Sequence, residues 1–324
     1  SLAIFELKHL VVCPVRFAQK LFLPKRRRKK TPHYLHNNCV LSKEWISRHR
    51  KVICRIVTML RPIWIFVIIS LGLSNCWRTE NKPRIYGDHV PTKMIAPHLK
   101  RVQQRIVMLH DYFRTKVIPP ASNMLIMKWH HGAARAAQKW ADQCRLLTHD
   151  SPKGRWIDNY GACGQNIFVS TQKVPWLFAL RMWFTERQNF TYGSPKNDLH
   201  VIGHYTQMVW AATHKVGCGL AKCARGFRGK SYYNYVCNYC PIGNHDDKLG
   251  FPYQIGRPCQ SCPQHCHSKR VRLCKNGCNA ADLWANCREL NKWPGWLCNT
   301  ATHEGLERRR NCLATCTCRH KIHD

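Results

Sequence analysis

Acidic residues are scarce in this 324-residue chain: 17 Asp and Glu stand against 52 Lys and Arg, a formal net charge of +35. Such an excess favours attraction to sulfated glycans, anionic lipid surfaces or the acidic mouths of membrane proteins. A solvated basic surface is the plainer alternative. Nucleic acid is not expected, because neither a helix-turn-helix pattern nor an aromatic RNA-binding motif accompanies the charge. No Gly-x-Ser-x-Gly elbow and no His-Glu-x-x-His helix occurs, which removes two common hydrolase signatures. Methionine is missing from residues 1–58, which hold one basic run at 25–30 among unpatterned apolar residues.

The apolar run at 63–73 is eleven residues long, short of the ~20 that a membrane-spanning helix needs. With Met59 and Arg61 before it and small residues after it, the run reads as a secretory signal at 59–76. Cleavage is expected to leave a chain that begins between Leu73 and Trp77. Residues 1–58 then read as a basic extension, either non-native or disordered, and 77–98 as a lead-in to the first domain.

Cysteine is the opposite case. Four of the twenty lie in the first quarter, and the other sixteen run from Cys144 to Cys318, ten of them crowded from Cys259 onward. A dense, even set after a secretory signal predicts eight disulfides and an oxidising compartment. Cys237-x2-Cys240 and Cys259-x2-Cys262 also have zinc-ribbon spacing, but the signal and the many further cysteines with no matching repeat favour disulfides.

Leu99, Val102, Ile106, Leu109 and Phe113 form an apolar stripe at helical spacing, ended by Pro119-Pro120. Second and third helices are expected through Ala133, Ala137, Trp140 and Cys144, and through Ala179, Leu180, Trp183 and Phe184. Strands are expected over 204–210, 216–220 and 232–239, with Gly217 and Gly219 marking close backbone packing. Helices followed by strands predict an α+β layered domain. Pro252, Gly256 and Pro258 suggest a linker. The roughly 60 residues after it have too little aliphatic content to fold without disulfides.

Five motifs occur in order: 119–125 with Trp129, 137–144, Cys163-Gly164-Gln165-Asn166-Ile167-Phe168, Gly203-His204-Tyr205-Thr206-Gln207-Met208-Val209-Trp210, and 235–244. Together they resemble the cysteine-rich secretory proteins of the CAP superfamily. The resemblance covers about residues 95–320. It implies a three-layer α-β-α CAP sandwich at 99–245, a linker and hinge at 246–277, and a small, mainly helical, toxin-like ion-channel-regulatory domain at 278–318. It also implies the pairs Cys144–Cys223, Cys163–Cys240, Cys218–Cys237, Cys259–Cys266, Cys262–Cys274, Cys278–Cys318, Cys287–Cys312 and Cys298–Cys316.

In that family two histidines and two carboxylates line a cleft. By motif these are His149, His204 and Glu186, with Gln165 where the second carboxylate should stand. An amide is neither a general base nor a counter-charge at neutral pH, so no catalytic residue is assigned and an enzyme is not expected. His149, His204 and Glu186 still suit Zn²⁺, although no cofactor is required. The plain alternative is that His204, on a strand, bonds Glu186 or Gln165 across the cleft. Trp176-x-Phe178-x4-Trp183 matches a spacing proposed for sterol binding in the superfamily, but helical aromatics are more often core. Asn189-Phe190-Thr191 is a glycosylation sequon.

The expected function is that of a secreted binding protein acting on a membrane ion channel or a cell-surface receptor. A helix around 280–290 and the basic loop before Cys312 would present Trp284, Arg288, Arg308, Arg309 and Arg310 to the partner, since Trp and Arg are common binding anchors. A sterol or lipid carrier and a zinc-dependent hydrolase are the rival readings.

Overall fold

The computed structural model describes residues 87–226, 229–267 and 272–324. The extension at 1–58, the signal at 59–76 and residues 77–86 of the lead-in lie outside the described residues. The helices of the first domain are α1 (Lys100–Arg114), α2 (His131–Asp142), α3 (Trp176–Thr185) and α4 (Leu199–Met208). The strands are β1 (Lys128–Trp129), β2 (Trp156–Ile157), β3 (Gly161–Ala162), β4 (Gly164–Ser170), β5 (Lys215–Cys223) and β6 (Tyr232–Cys240). One sheet has the order β1-β5-β6-β4, antiparallel except for β1 with β5, and β2 and β3 form a separate hairpin.

Strand alternation builds the layers, because successive side chains point to opposite faces. On β5 and β6, Val216, Cys218, Tyr235, Cys237 and Tyr239 pack into one cluster with α1, α3 and α4. Val236 of β6 and Ile167 of β4 turn to the opposite face, against Ala137, Trp140 and Ala141 of α2. That second face is crowded. A Cβ on Gly217 would lie 2.1 Å from the Ala134 nitrogen, and one on Gly219 2.4 Å from the Gln138 Cα. Glycine there lets the α2 backbone rest directly on the sheet.

Two sequence expectations need correction. Residues 204–208 are helical, in α4, and Val209 and Trp210 follow it; none is a strand. Asp198 caps that helix by accepting from the His200 N–H at 2.9 Å, and Tyr205, Met208, Val209 and Trp210 are all buried. The run from Tyr205 to Trp210 is buried throughout and so shows no clear period, reading equally well as a strand. The second helix also stops at Asp142, with Cys144 beyond it at φ 55°.

Arg114, at the end of α1, is 1% exposed. Its Nε donates to Leu125 O, Nη1 to Met208 O and Trp210 O, and Nη2 to Ala211 O and Thr213 O, at 2.9–3.1 Å. All five guanidinium hydrogens are therefore matched to backbone carbonyls. Burial lowers its pKa to about 10, which leaves it charged at neutral pH. Three residues earlier, Asp111 accepts from the Met127 N–H at 2.8 Å.

Among the described residues eight disulfides form: Cys144–Cys223, Cys163–Cys240 and Cys218–Cys237 in the first domain, then Cys259–Cys266, Cys262–Cys274, Cys278–Cys318, Cys287–Cys312 and Cys298–Cys316. The segment expected as a linker is docked. Ser122 N bonds Gln254 O, Ala211 N bonds Pro252 O and Gly256 N bonds Pro120 O, with Tyr253 buried. The hinge continues the contact, as Ile126 N bonds Cys274 O and Cys274 N bonds Met124 O. Beyond it come four short helices: α5 (Cys287–Leu290), α6 (Pro294–Leu297), α7 (His303–Asn311) and α8 (Leu313–Thr317). The expected helix around 280–290 is thus helical only in its last turn. Asp282 is held instead by a bridge to Cys312 and by its carboxylate, which accepts from Thr315 N and Oγ1.

Burial also sets a pH response. It lowers the pKa of His110 and of His214 to about 4 and raises that of Asp111 to about 6. Between pH 6.5 and 4 the unfolded chain protonates both imidazoles before the native state does, so their contribution to stability is lost as pH falls. Asp111 acts in the opposite sense over roughly pH 6 to 4, one carboxyl against two imidazoles. The melting temperature is expected to be lower at pH 4.5 than at pH 7. Thermal melts at the two pH values check this, and an equal or higher value at pH 4.5 would contradict it.

Candidate functional site: a two-histidine cleft

Four elements bring the cleft side chains together. His149 lies on the loop after α2, Gln165 on β4, Glu186 at the C-terminal cap of α3 and His204 within α4. Gln165 sits opposite Asn238 in the sheet register, and its Nε2 donates to Asn238 Oδ1 at 3.0 Å. Its Oε1 accepts from the Asp150 N–H and from His149 Nδ1, both at 3.0 Å. Across the cleft, Glu186 Oε1 accepts from His204 Nδ1 at 2.6 Å and Oε2 from the Tyr205 N–H at 3.0 Å. His204 lies in a plane 13° from that of Trp183, and its carbonyl accepts from Asn166 Nδ2.

These bonds fix the tautomers. An amide oxygen and a carboxylate can only accept, so both imidazoles carry their hydrogen on Nδ1 and, when neutral, keep a lone pair on Nε2. The His149 pKa is lowered, chiefly by burial and also by the neighbouring His204 and Arg155 charges, while its bond to Gln165 works against the shift. Two oriented imidazoles with open Nε2 atoms form a metal-ready arrangement in which the second nitrogen is held by an outer partner. Gln165 and Glu186 are those outer partners.

That is a different role for Glu186 from the direct ligand expected. Both of its oxygens are engaged. Among the described residues, the donor atoms of Cys259, Cys262 and Cys274 are the one set of three lying within 4.8 Å of each other, so His149, His204 and Glu186 are not drawn to that spacing. The three cysteine sulfurs belong to the Cys259–Cys266 and Cys262–Cys274 disulfides, and a disulfide sulfur is not a thiolate ligand. Cys237 and Cys240 are likewise bonded, to Cys218 and Cys163. Two imidazoles are fewer than the three or four protein ligands of tight zinc sites.

The remaining expected residues are dispersed. Trp176 and Trp183 are 2% and 3% exposed, with their indole N–H groups on Ile95 O and Ile167 O, and Phe178 packs against the same core. They are core, not a ligand surface. Asn189 is exposed just after α3. In the tail, Trp284, Arg288 and Arg310 are exposed and Arg308 and Arg309 half-buried. Arg308 faces away from the expected pairing: its guanidinium stacks 4.2 Å over the Trp296 ring and its Nε donates to Trp296 O. Trp284 meets the far end of α7, its N–H on Asn311 O. The sequence reasoning missed Trp293 and Trp296, which are 61% and 48% exposed. The Trp293-Pro294-Gly295-Trp296 turn was the available signal, since a short turn between cysteines has little core in which to hide two indoles.

The model of the cysteine-rich secretory protein family, CAP, matches residues 107–239, and the Crisp model matches 259–323. Cysteine-rich secretory protein 2 of Cavia porcellus is 39% identical over 265 residues, which is 82% of this chain and 99% of that protein. Cysteine-rich secretory protein 3 of Homo sapiens is 42% identical over the same length and the same shares. The solved structure of BmVAL-1 is 24% identical, covering 56% of this chain and 96% of its own, with a TM-score of 0.45. The chain belongs to the cysteine-rich secretory protein family: a CAP domain followed by a disulfide-rich Crisp module.

Proposed function

We propose that this protein is a secreted, non-enzymatic binding protein whose C-terminal module docks on an extracellular surface, an ion channel in the first instance. The observation that carries the reading is the tail surface. The disulfide-closed tail exposes Trp284, Trp293 and Trp296 together with Arg288 and Arg310, and Arg308 stacks on Trp296. A cross-linked module loses little freedom on docking, and exposed Trp and Arg are the residue types that anchor interfaces. Its basic charge would draw it to an acidic vestibule, more weakly as salt rises. Cell-surface recognition is the alternative outcome of the same test. Patch-clamp recording with the full chain on potassium, calcium and ryanodine-type channels should show a current change at micromolar protein. Trp293→Ala with Trp296→Ala should abolish it. No change on any of these channels, with cell binding intact, would replace the channel reading by surface recognition.

The cleft, in this reading, takes up Zn²⁺ weakly through His149 and His204. Bound there, the ion would polarise a coordinated oxygen, but Gln165 offers no base and both Glu186 oxygens are occupied, which supports binding without turnover. Calorimetry should show zinc affinity falling as the pH is lowered and protons compete for imidazole nitrogen, at His149 only below the ordinary imidazole range because burial lowers its pKa. Replacing both histidines by alanine should remove the binding. Uptake that survives the double replacement would refute the assignment.

A further inference from the structure

The face of α1 turned away from the core is not uniformly polar. Val102, Ile106, Leu109 and Phe113 are buried, yet Met108 and Tyr112 on the other side are 59% and 54% exposed. Arg101, Arg105, Met108 and Tyr112 follow one another at steps of four, three and four residues, which sets them in one row along the helix. All four are exposed, and the row runs about 16 Å at the helical rise per residue. Lys116 extends it, with its ammonium 5.4 Å from the centre of the Tyr112 ring. At the other end Arg101 Nη2 donates to Lys93 O at 3.1 Å, which draws in the turn that exposes Met94.

The charges along this row have one sign. Residues 92–118 hold six Lys and Arg and one acid, Asp111. Five of the cations are exposed, whereas Arg114 is buried and Asp111 is engaged by the Met127 N–H. Single exposed apolar side chains are ordinary. Here two neighbours one turn apart are bracketed by cations, and that pattern sets two demands on a partner. It must be anionic along the whole row, and it must offer Met108 and Tyr112 an apolar layer. A sulfated glycan meets the first demand alone. A folded protein surface intersperses charges of both signs, which does not match a row of one sign. An anionic phospholipid bilayer meets both. Its headgroups attract Lys and Arg, its interface suits a tyrosine ring, and cationic side chains lay their stems on apolar surface while the charge stays in water.

We propose that the outer face of α1 docks on an anionic phospholipid bilayer, with Met108 and Tyr112 entering the headgroup layer and Arg101, Arg105 and Lys116 on the lipid anions. Peripheral attachment draws on buried apolar area and electrostatic attraction together, so both halves of the row are needed. The face uses no residue of the histidine cleft or of the exposed tail, and it stands whether or not the tail acts on a channel.

The test is flotation of the full chain with phosphatidylcholine vesicles, with and without phosphatidylserine, at about 0.15 M ionic strength, which screens long-range attraction to a basic protein. Vesicles that contain phosphatidylserine should carry the protein with them, and neutral vesicles should not. Each cation at such a surface contributes roughly fivefold in affinity. The triple change Arg101→Gln, Arg105→Gln, Lys116→Gln should therefore weaken binding by roughly tenfold or more. Met108→Gln with Tyr112→Gln should also weaken it by roughly tenfold, yet leave retention on heparin unaltered, which separates a bilayer from a glycan. The triple change Arg308→Gln, Arg309→Gln, Arg310→Gln removes the same formal charge and should leave vesicle binding unaltered. The five α1 positions are exposed and Gln is a good helix former, so these variants should melt as the parent does. Binding that is equal on neutral vesicles, ignores the α1 changes or follows the tail changes would overturn the proposal. Heparin retention that falls with Met108 and Tyr112 would overturn it in favour of a glycan, and no binding to either vesicle in favour of a protein partner.

Discussion

One guanidinium holds the two functional regions of this protein in place. Arg114 is buried as a cation, a state that costs several kcal/mol unless every hydrogen finds an acceptor. Here all five do, and every acceptor is a backbone carbonyl. Three of them, Trp210 O, Ala211 O and Thr213 O, lie in the irregular stretch between α4 and β5, where Ala211 O alone also has a backbone donor, the Leu125 N–H. Arg114 is therefore the substitute for a sheet ladder that this stretch does not have.

The consequence reaches both sites. Met208 O is the last residue of the helix that carries His204, so the same side chain that fills the core also anchors the end of the cleft helix. Leu125 O, its fifth acceptor, belongs to the residue that bridges Cys274 of the hinge, and Ala211, which gives its carbonyl to Arg114, gives its N–H to Pro252 O. The tail thus docks on backbone that Arg114 has already fixed.

Much of the fold was legible in the sequence, and the exceptions have physical causes. The stripe from Leu99 to Phe113 matches the helical period, the β-rich run over 232–239 reads as a strand, and the helix and strand stand there. The segment at His204 matches no period, because Tyr205 to Trp210 are all buried and such a run has no polar face to set a phase. The cleft residues were visible through motif resemblance, but their roles were not. Only the paired oxygens of Gln165 and Glu186 show that these two side chains orient the histidines. Arg114 gave no signal at all: an arginine at a helix end reads as solvated, and its acceptors lie up to 99 positions away.

The most direct measurement is amide hydrogen exchange on the full chain with Arg114→Lys, which keeps the charge but has three donors for five carbonyls. The account predicts faster exchange at Ala211, His214, Gly256 and Cys274, whose N–H bonds rest on the segments that Arg114 ties. It also predicts a loss of global stability of about 2–5 kcal/mol while the β5–β6 ladder stays protected. Exchange at those four amides equal to that of the parent protein, with unchanged stability, would contradict it.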